Sequence, residues 1–265
     1  MPAEGAMQTH MRAPAKAQPE DETELGSVVL RAVVKTFPAE RRASQPVTAL
    51  DGLTLTADPG ETVAVVGPSG CGKTTLLELV CGLTAPDAGT VLSAPAALMA
   101  QRDLLLPWRN AVDNASLAMN VSGVERSVAR ERAGALLRDF GLSGFERALP
   151  HELSGGMRQR VAFARTLLSG RTVLCLDEPF ASLDALTRQE MQDWLAGTLA
   201  LAPRTVLLVT HDVEEAIVLA DRVLVLSPRP GRVVATIDVD APRPRDRSDP
   251  QLVALRARAL QELRG

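Results

Sequence analysis

No apolar run in this 265-residue sequence approaches the ~20 residues that a membrane-spanning helix needs. The N-terminus also lacks the apolar stretch behind basic residues that marks a secretory leader. A cytosolic protein is expected, one that meets a membrane only through a partner. Cysteine is scarce. Cys71, Cys81 and Cys175 are odd in number, far apart and without metal-ligand spacing, which suits a reducing compartment. A basic excess is absent too, and the formal charge of −3 gives no support for nucleic-acid binding. What is abundant is apolar: 46% of the residues, enough to exclude a mainly disordered chain. The length allows one large domain or two lobes around a real core.

Lysine is rarer than arginine by far. Only Lys16, Lys35 and Lys73 stand among 29 basic residues. One of them closes the stretch Gly67-Pro68-Ser69-Gly70-Cys71-Gly72-Lys73-Thr74-Thr75, which fits G-x-x-x-x-G-K-[ST]. Gly67, Gly70 and Gly72 let the backbone turn tightly and aim successive N–H groups at one spot. A following helix adds the positive end of its dipole. Lys73 contributes a compact charge for the β- and γ-phosphates of a nucleotide, and Thr74 a hydroxyl for Mg²⁺. An ordinary glycine turn is the bland alternative. Against it stands the context: a β-branched run, Glu61 to Val66, before the loop and an apolar helix-like face, Thr75 to Val80, after it.

Elsewhere, strand patterns fall at Val28 to Val34, Leu53 to Thr56 and Thr90 to Leu92, the last opened by a turn at Pro86 to Gly89. From about 101 to 170 helical spacing takes over, at Asn110 to Met119, Val124 to Phe140 and Gly156 to Leu168. Strands return at Thr172 to Leu176, Thr205 to Val209 and Val223 to Leu226, with a helix at Thr187 to Leu199 between them. The alternation predicts an α/β core with a mostly parallel sheet. Residues 1–25, rich in Ala, Pro, Gln and acid, are expected to be a flexible tail. A principal domain over 26–240 would then carry an inserted helical lobe at about 101–170. An extension, 241–265, follows, with a helix expected over Asp249 to Leu263. No internal repeat is visible, so the chain carries one phosphate loop.

Two further segments carry chemistry. The strand Val173 to Leu176 ends in Asp177-Glu178, at the carboxyl edge where ligands of parallel sheets bind. Asp177 there would hold Mg²⁺, directly or through water. Glu178 would take a proton from an attacking water. Taken alone, such a pair is more often a solvated strand end. In Leu153-Ser154-Gly155-Gly156-Met157-Arg158-Gln159, Ser154 fits an N-cap and the two glycines expose N–H groups ahead of a helix. A plain helix cap is the competing reading.

Together and in this order, the three motifs resemble those of the nucleotide-binding subunits of ATP-binding cassette (ABC) transporters, over about residues 28–230. LSGGM followed by RQ is similar to the family signature. The resemblance implies a P-loop NTPase core with N-terminal antiparallel strands and a helical subdomain. It assigns Gln101 to Mg²⁺, water and the membrane partner, Ser182-Leu183-Asp184 to the D-loop, and His211 to contact with γ-phosphate. Phe37 falls where the family stacks an aromatic on adenine; with no tyrosine in the chain, phenylalanine must serve. Pro38 and a longer basic loop depart from the family pattern there, and a core role for Phe37 stays open.

The resemblance further implies that two copies face each other head to tail. Ser154, Gly155, Gly156 and Asp184 of one would close over ATP held by residues 67–75 of the other. Transmembrane permease subunits, and through them a solute-binding protein, are the other partners implied, with the ATPase peripheral on the cytoplasmic face of the inner membrane. The segments Asp177 to Arg188 and Leu106 to Arg109 look similar to the nitrate, sulfonate and taurine import branch, or to importers of thiamine-precursor pyrimidines. Leu104 to Trp108 is an apolar cluster suited to docking, or alternatively to core packing. Cys71 is expected to offer an accessible thiol in the loop, or else to be a small buried hydrophobe. Outside transport, the rivals are a soluble ABC-type ATPase acting on DNA or ribosomes, a phosphate-loop kinase or GTPase, and a non-hydrolysing subunit. Within transport, export is the rival to import.

Overall fold

Two kinds of strand pattern sort this chain into two sheets. The computed structural model describes residues 26–38 and 45–264. The expected tail, 1–25, and most of the basic loop after Pro38 lie outside the described residues. In chain order the strands are β1 (Val28–Phe37), β2 (Val47–Ala57), β3 (Thr62–Val66), β4 (Ala88–Ser93), β5 (Ala96–Met99), β6 (Val173–Asp177), β7 (Thr205–Thr210), β8 (Arg222–Leu226) and β9 (Val233–Asp238). β1 and β2 mix buried and exposed positions, the pattern of an antiparallel sheet with one wet face. With β4 they form a three-stranded antiparallel sheet, ordered β2-β1-β4. β3, β6 and β7 are buried at every position, as parallel strands covered on both faces are. They sit inside a six-stranded sheet, β5-β6-β7-β3-β8-β9, parallel except for the β8–β9 pair.

The helices are α1 (Lys73–Val80), α2 (Ala111–Ala115), α3 (Leu117–Val121), α4 (Arg126–Asp139), α5 (Gly155–Leu167), α6 (Ala185–Leu201), α7 (Val213–Leu219) and α8 (Pro250–Arg264). Among the described residues no strand lies between β5 and β6. The single helix expected over Asn110 to Met119 is two short ones. They break at Ser116, whose hydroxyl is engaged by the Asn120 amide (3.4 Å); polar side chains that bond locally weaken helical continuity. The strand reading missed β9, a half-exposed edge strand, and the helix reading missed α7, only seven residues long.

Two apolar clusters flank the parallel sheet. One packs α1 and the antiparallel sheet against its first face. The other gathers the remaining helices on the opposite face. There Phe140, Phe163, Phe180 and Trp194 meet in stacked and edge-on contacts, with centroids 4.6 to 6.4 Å apart. A sequence poor in aromatics thus concentrates them where they fix α4, α5 and α6 against the sheet.

The stretch after β9 is tied to this core. The Arg245 guanidinium is buried and donates to the carbonyls of Ile217, Ala220, Val239 and Ala241. It thereby satisfies orphan carbonyls at the end of α7. Burial lowers its pKa to about 10. α8 then packs on α7 and β8.

Candidate functional site

The phosphate-loop motif is built from β3, a glycine turn and α1. β3 ends in fully buried Val66. Gly72 has φ of +104°, and a Cβ there would lie 2.7 Å from both the Ala49 carbonyl and Leu50 Cδ2. Only glycine fits. α1 starts at Lys73 with no side chain capping it, so its first N–H groups face the loop's concavity. The Lys73 ammonium donates to the Gly67 carbonyl (2.8 Å) and the Pro68 carbonyl (3.1 Å). Two of its three N–H bonds hold it over the loop and one remains for a ligand.

Across the loop, Asp177 ends β6 and is 3% exposed. It accepts a hydrogen bond from the Thr74 hydroxyl at 2.8 Å. Burial raises its carboxyl above the ordinary range; neighbouring Glu178 adds to this, while Thr74 and Lys73 oppose it. Such a carboxyl has reason to bind a cation. Glu178 follows with φ of +48°, a left-handed conformation that costs about 1–3 kcal/mol for a residue with a Cβ. Its N–H bonds the Val209 carbonyl (2.8 Å), and this turn aims the side chain back over the sheet edge. There its carboxylate accepts from the Gln101 amide (3.0 Å) and lies 3.3 Å from His211 Nδ1. The ends of β5, β6 and β7 are parallel neighbours in register. That register is why residues distant in sequence meet at one point.

A cavity of ≈ 320 Å³ joins these groups. Phe37, Val47 and Ala49 form one wall. Ser69, Gly70 and residues 72–75 form the floor, and Gln101, Asp177 and Glu178 the far end. Phe37 is 37% exposed, so it is available to a ligand rather than sunk in the core. Gly67 and Pro68 do not line the cavity, and their carbonyls hold Lys73. Cys71 requires a correction: its side chain is 1% exposed and points beneath the loop, where a Cβ on Gly67 would come within 2.8 Å of its sulfur. Burial raises its thiol pKa, against the effect of Lys73. The thiol is a packed apolar group, not an accessible nucleophile.

Sequence reasoning missed two charged residues. Arg229, in the hairpin between β8 and β9, lines the large cavity. Glu215, on α7, is 5% exposed and lines a small cavity of ≈ 30 Å³ shared with Glu178, Arg188 and His211. Burial, with Asp212 adding to it, pushes its carboxyl up to about 8. The exposed His211 lies on this smaller cavity, beside Glu178, and not on the large one.

Ser154, Gly155, Gly156 and Asp184 do not line the large cavity. Ser154 caps α5 by accepting from Met157 N (3.2 Å). Asp184 caps α6 by accepting from Thr187 N (3.0 Å), and that bond holds its carboxyl below the ordinary range. A Cβ on Gly156 would lie 3.2 Å from buried Leu183, so the signature and the Ser182-Leu183-Asp184 segment adjoin, with Ser154, Gly155, Ser182 and Asp184 exposed on one patch.

Between the two regions runs the 102–109 loop. Arg158 Nε donates to Asp103 Oδ2 (2.9 Å), and Arg165 donates to the carbonyls of Asp103 (2.8 Å) and Leu104 (2.9 Å). α5 thus pins the loop. Buried Asn114 pins it again, through the N–H and carbonyl of Leu106 and the carbonyl of Arg109. Leu105 is core, whereas Leu104 and Trp108 are 57% and 73% exposed, so core packing accounts for only part of this cluster.

Residues 50–181 match the ABC transporter family. An aliphatic sulfonates import ATP-binding protein of Rhodococcus jostii is 49% identical over 82% of this chain and 87% of its own length. A taurine import ATP-binding protein of Chromobacterium violaceum is 40% identical over 84% and 92%. Among solved structures, the dimeric post-hydrolysis state of the ATP-binding cassette MJ0796 bound to ADP and phosphate is similar, at a TM-score of 0.73 and 27% identity. It covers 81% of this chain and 99% of that one. With the phosphate loop, the Asp177–Glu178 strand end and the signature patch in these positions, the chain belongs to the ABC transporter ATP-binding proteins.

Proposed function

We propose that this protein is the ATP-hydrolysing subunit of an importer for aliphatic sulfonates or taurine, working as a head-to-tail pair of copies. One observation carries the hydrolytic part: Gln101 and His211 converge on the Glu178 carboxylate, beside the Thr74–Asp177 pair and the Lys73 loop. Residues 69–75 hold the phosphates, with Lys73 supplying the full charge. Phe37 lies against the base. Thr74 and Asp177, two oxygen donors 2.8 Å apart on one side of the cavity, suit Mg²⁺. That ion takes one or two protein oxygens and fills its shell with phosphate and water; Gln101 stands nearby. Held by these residues, it would neutralise charge on the phosphates.

Water attacks the γ-phosphorus and the bond to the β-phosphate oxygen breaks, giving ADP and inorganic phosphate. Glu178 takes the proton that the water loses, while Gln101 and His211 hold Glu178 and the water in line. The exposed Ser154–Gly156 helix start and Asp184 belong to the second copy's site: backbone N–H groups at that helix start favour an anion. ATP then joins the two copies, and hydrolysis releases them. No described helix is long and apolar enough to cross a membrane. Transport therefore requires permease subunits, which dock at the exposed Leu104 and Trp108. The arginines of α5 carry that contact to the signature patch. The principal domain, 26–240, does this work from the cytoplasmic face, and in the extension Arg245 and α8 brace α7. A solute-binding protein, reached through the permease, selects the solute.

The names of the relatives support import over export and a sulfonate over other anions. The test is Glu178→Gln. It should lower turnover at least ~100-fold while ATP binding persists and a stable dimer accumulates. Turnover near the wild-type rate would refute the assignment. Uptake of labelled taurine and alkanesulfonates by cells carrying the transporter, against nitrate as control, tests the solute.

A further inference from the structure

The nucleotide cavity is lined by two cationic side chains, Lys73 and Arg229, and two anionic ones, Asp177 and Glu178. The anionic pair is already engaged, by Thr74 on one side and by Gln101 and His211 on the other. Lys73 is partly spent on the loop carbonyls. Arg229 differs from all of these, since it forms no hydrogen bond or ion pair with any described residue. Other described guanidinium groups that meet the fold closely are used up, as in Arg158, Arg165, Arg222 and Arg245, and the other cation on this cavity, Lys73, is held by the loop. An uncommitted arginine on the wall of an anion-binding cavity therefore stands out.

Its backbone is held firmly. Gly231 N donates to the Ala49 carbonyl (2.8 Å) and Asp51 N to the Gly231 carbonyl (3.2 Å), so the hairpin pairs with β2. Gly231 lies so close to the phosphate loop that a Cβ on it would be 2.2 Å from the Cys71 carbonyl. Ser227 Oγ bridges the hairpin, donating to the Pro230 carbonyl (2.9 Å) and accepting from Arg232 N (3.0 Å). Arg232 pairs with Asp51 of β2. These contacts bring Arg229 to the cavity from the β2 side, beside Val47, Ala49 and Phe37. They keep it away from the Gln101–Glu178 end, where hydrolysis takes place.

We infer that Arg229 is a nucleotide-binding residue that pairs with the phosphate nearest the ribose, anchoring the part of the ligand that hydrolysis leaves unchanged. The inference rests on the nucleotide being the cavity's ligand. A contact made equally before and after hydrolysis adds uniform binding, so it lowers KM without altering kcat. A guanidinium on a phosphate is a charge-assisted bond, strong in a partly enclosed site and weakened by salt.

The test is steady-state ATPase kinetics together with equilibrium titration of ADP, on wild-type protein and on Arg229→Ala and Arg229→Lys. Arg229 is exposed, so thermal melting should show both variants folded. Expected are a rise of about tenfold in KM for ATP and in Kd for ADP with Arg229→Ala, larger at low salt, at unchanged kcat. Arg229→Lys, which keeps the charge, should stay within about threefold of wild type. Unchanged KM and Kd in Arg229→Ala, or a fall in kcat alone, overturns the inference; so does Arg229→Lys being as impaired as Arg229→Ala. Wild-type protein that bound neither ATP nor ADP would instead remove the nucleotide reading on which it rests.

Discussion

The two glycine-led helix starts of this protein are opposites. α1 opens into a cavity that the same chain completes, with a lysine above it, a carboxylate pair across from it and an aromatic wall to one side. α5 opens onto an exposed patch. Ser154 caps it and Ser182 lies beside it, and among the described residues it does not line the cavity that α1 opens into. On the proposed head-to-tail pairing, the contrast means that half of the machinery is finished within one chain and half is made to complete another. Between them the 102–109 loop is pinned to α5, and under the proposed function it would couple a membrane partner to the incomplete half.

The sharpest way to break this contrast is to damage each half separately. Ser154→Arg places bulk and charge on the incomplete half. It should cut turnover about 100-fold, the scale on which a lost group around the transition state is felt, and leave the ATP affinity of a single chain within about twofold. Lys73→Ala damages the complete half. It should weaken ATP binding ~30-fold or more, as loss of a desolvated charge contact does. Steady-state hydrolysis and nucleotide titration on both variants would expose an exchange of these phenotypes, which the account forbids.

A smaller effect sharpens the picture behind Glu178. Glu215 holds its proton to about pH 8 in the folded chain, against an ordinary value of 4.5. Below pH 4.5 both states are protonated and nothing is lost. Between pH 4.5 and 8 the unfolded chain releases this proton while the folded chain keeps it, so stability falls as pH rises; above pH 8 the loss is complete. Glu215→Gln removes this dependence. It should raise Tm by about 2–8 °C at pH 8 and leave it unchanged below pH 4.5, in melts run side by side with wild type. A Tm gain that did not vary with pH would mean that Glu215 is not the titrating group.

The complete half was the more legible in the sequence, and for a physical reason. Its loop is contiguous, so the spacing of Gly67, Gly70, Gly72 and Lys73 shows the turn directly. Asp177 and Glu178 announce themselves as charges ending an apolar strand. That Gln101 and His211 meet Glu178 depends on the register of β5, β6 and β7, which no local pattern carries; only the resemblance pointed to them. Arg229 was invisible because its hairpin is placed by pairing with β2, far away in the sequence. Glu215 was hidden in a helix too short to show a period, where an acid in the first turn reads as solvated and only tertiary packing buries it. Cys71 was misjudged since whether a loop residue points up or under depends on the backbone angles of its glycine neighbours. The half-exposed alternation of Val233 to Asp238 was a readable strand signal, but a weak one.

The most direct test of the central claim is the specific ATPase activity of wild-type protein across a wide range of chain concentration, with molecular mass measured on the same samples. Activity per chain should rise with the dimer fraction and vanish in the dilute, monomeric limit. Full activity in samples that are wholly monomeric would contradict it.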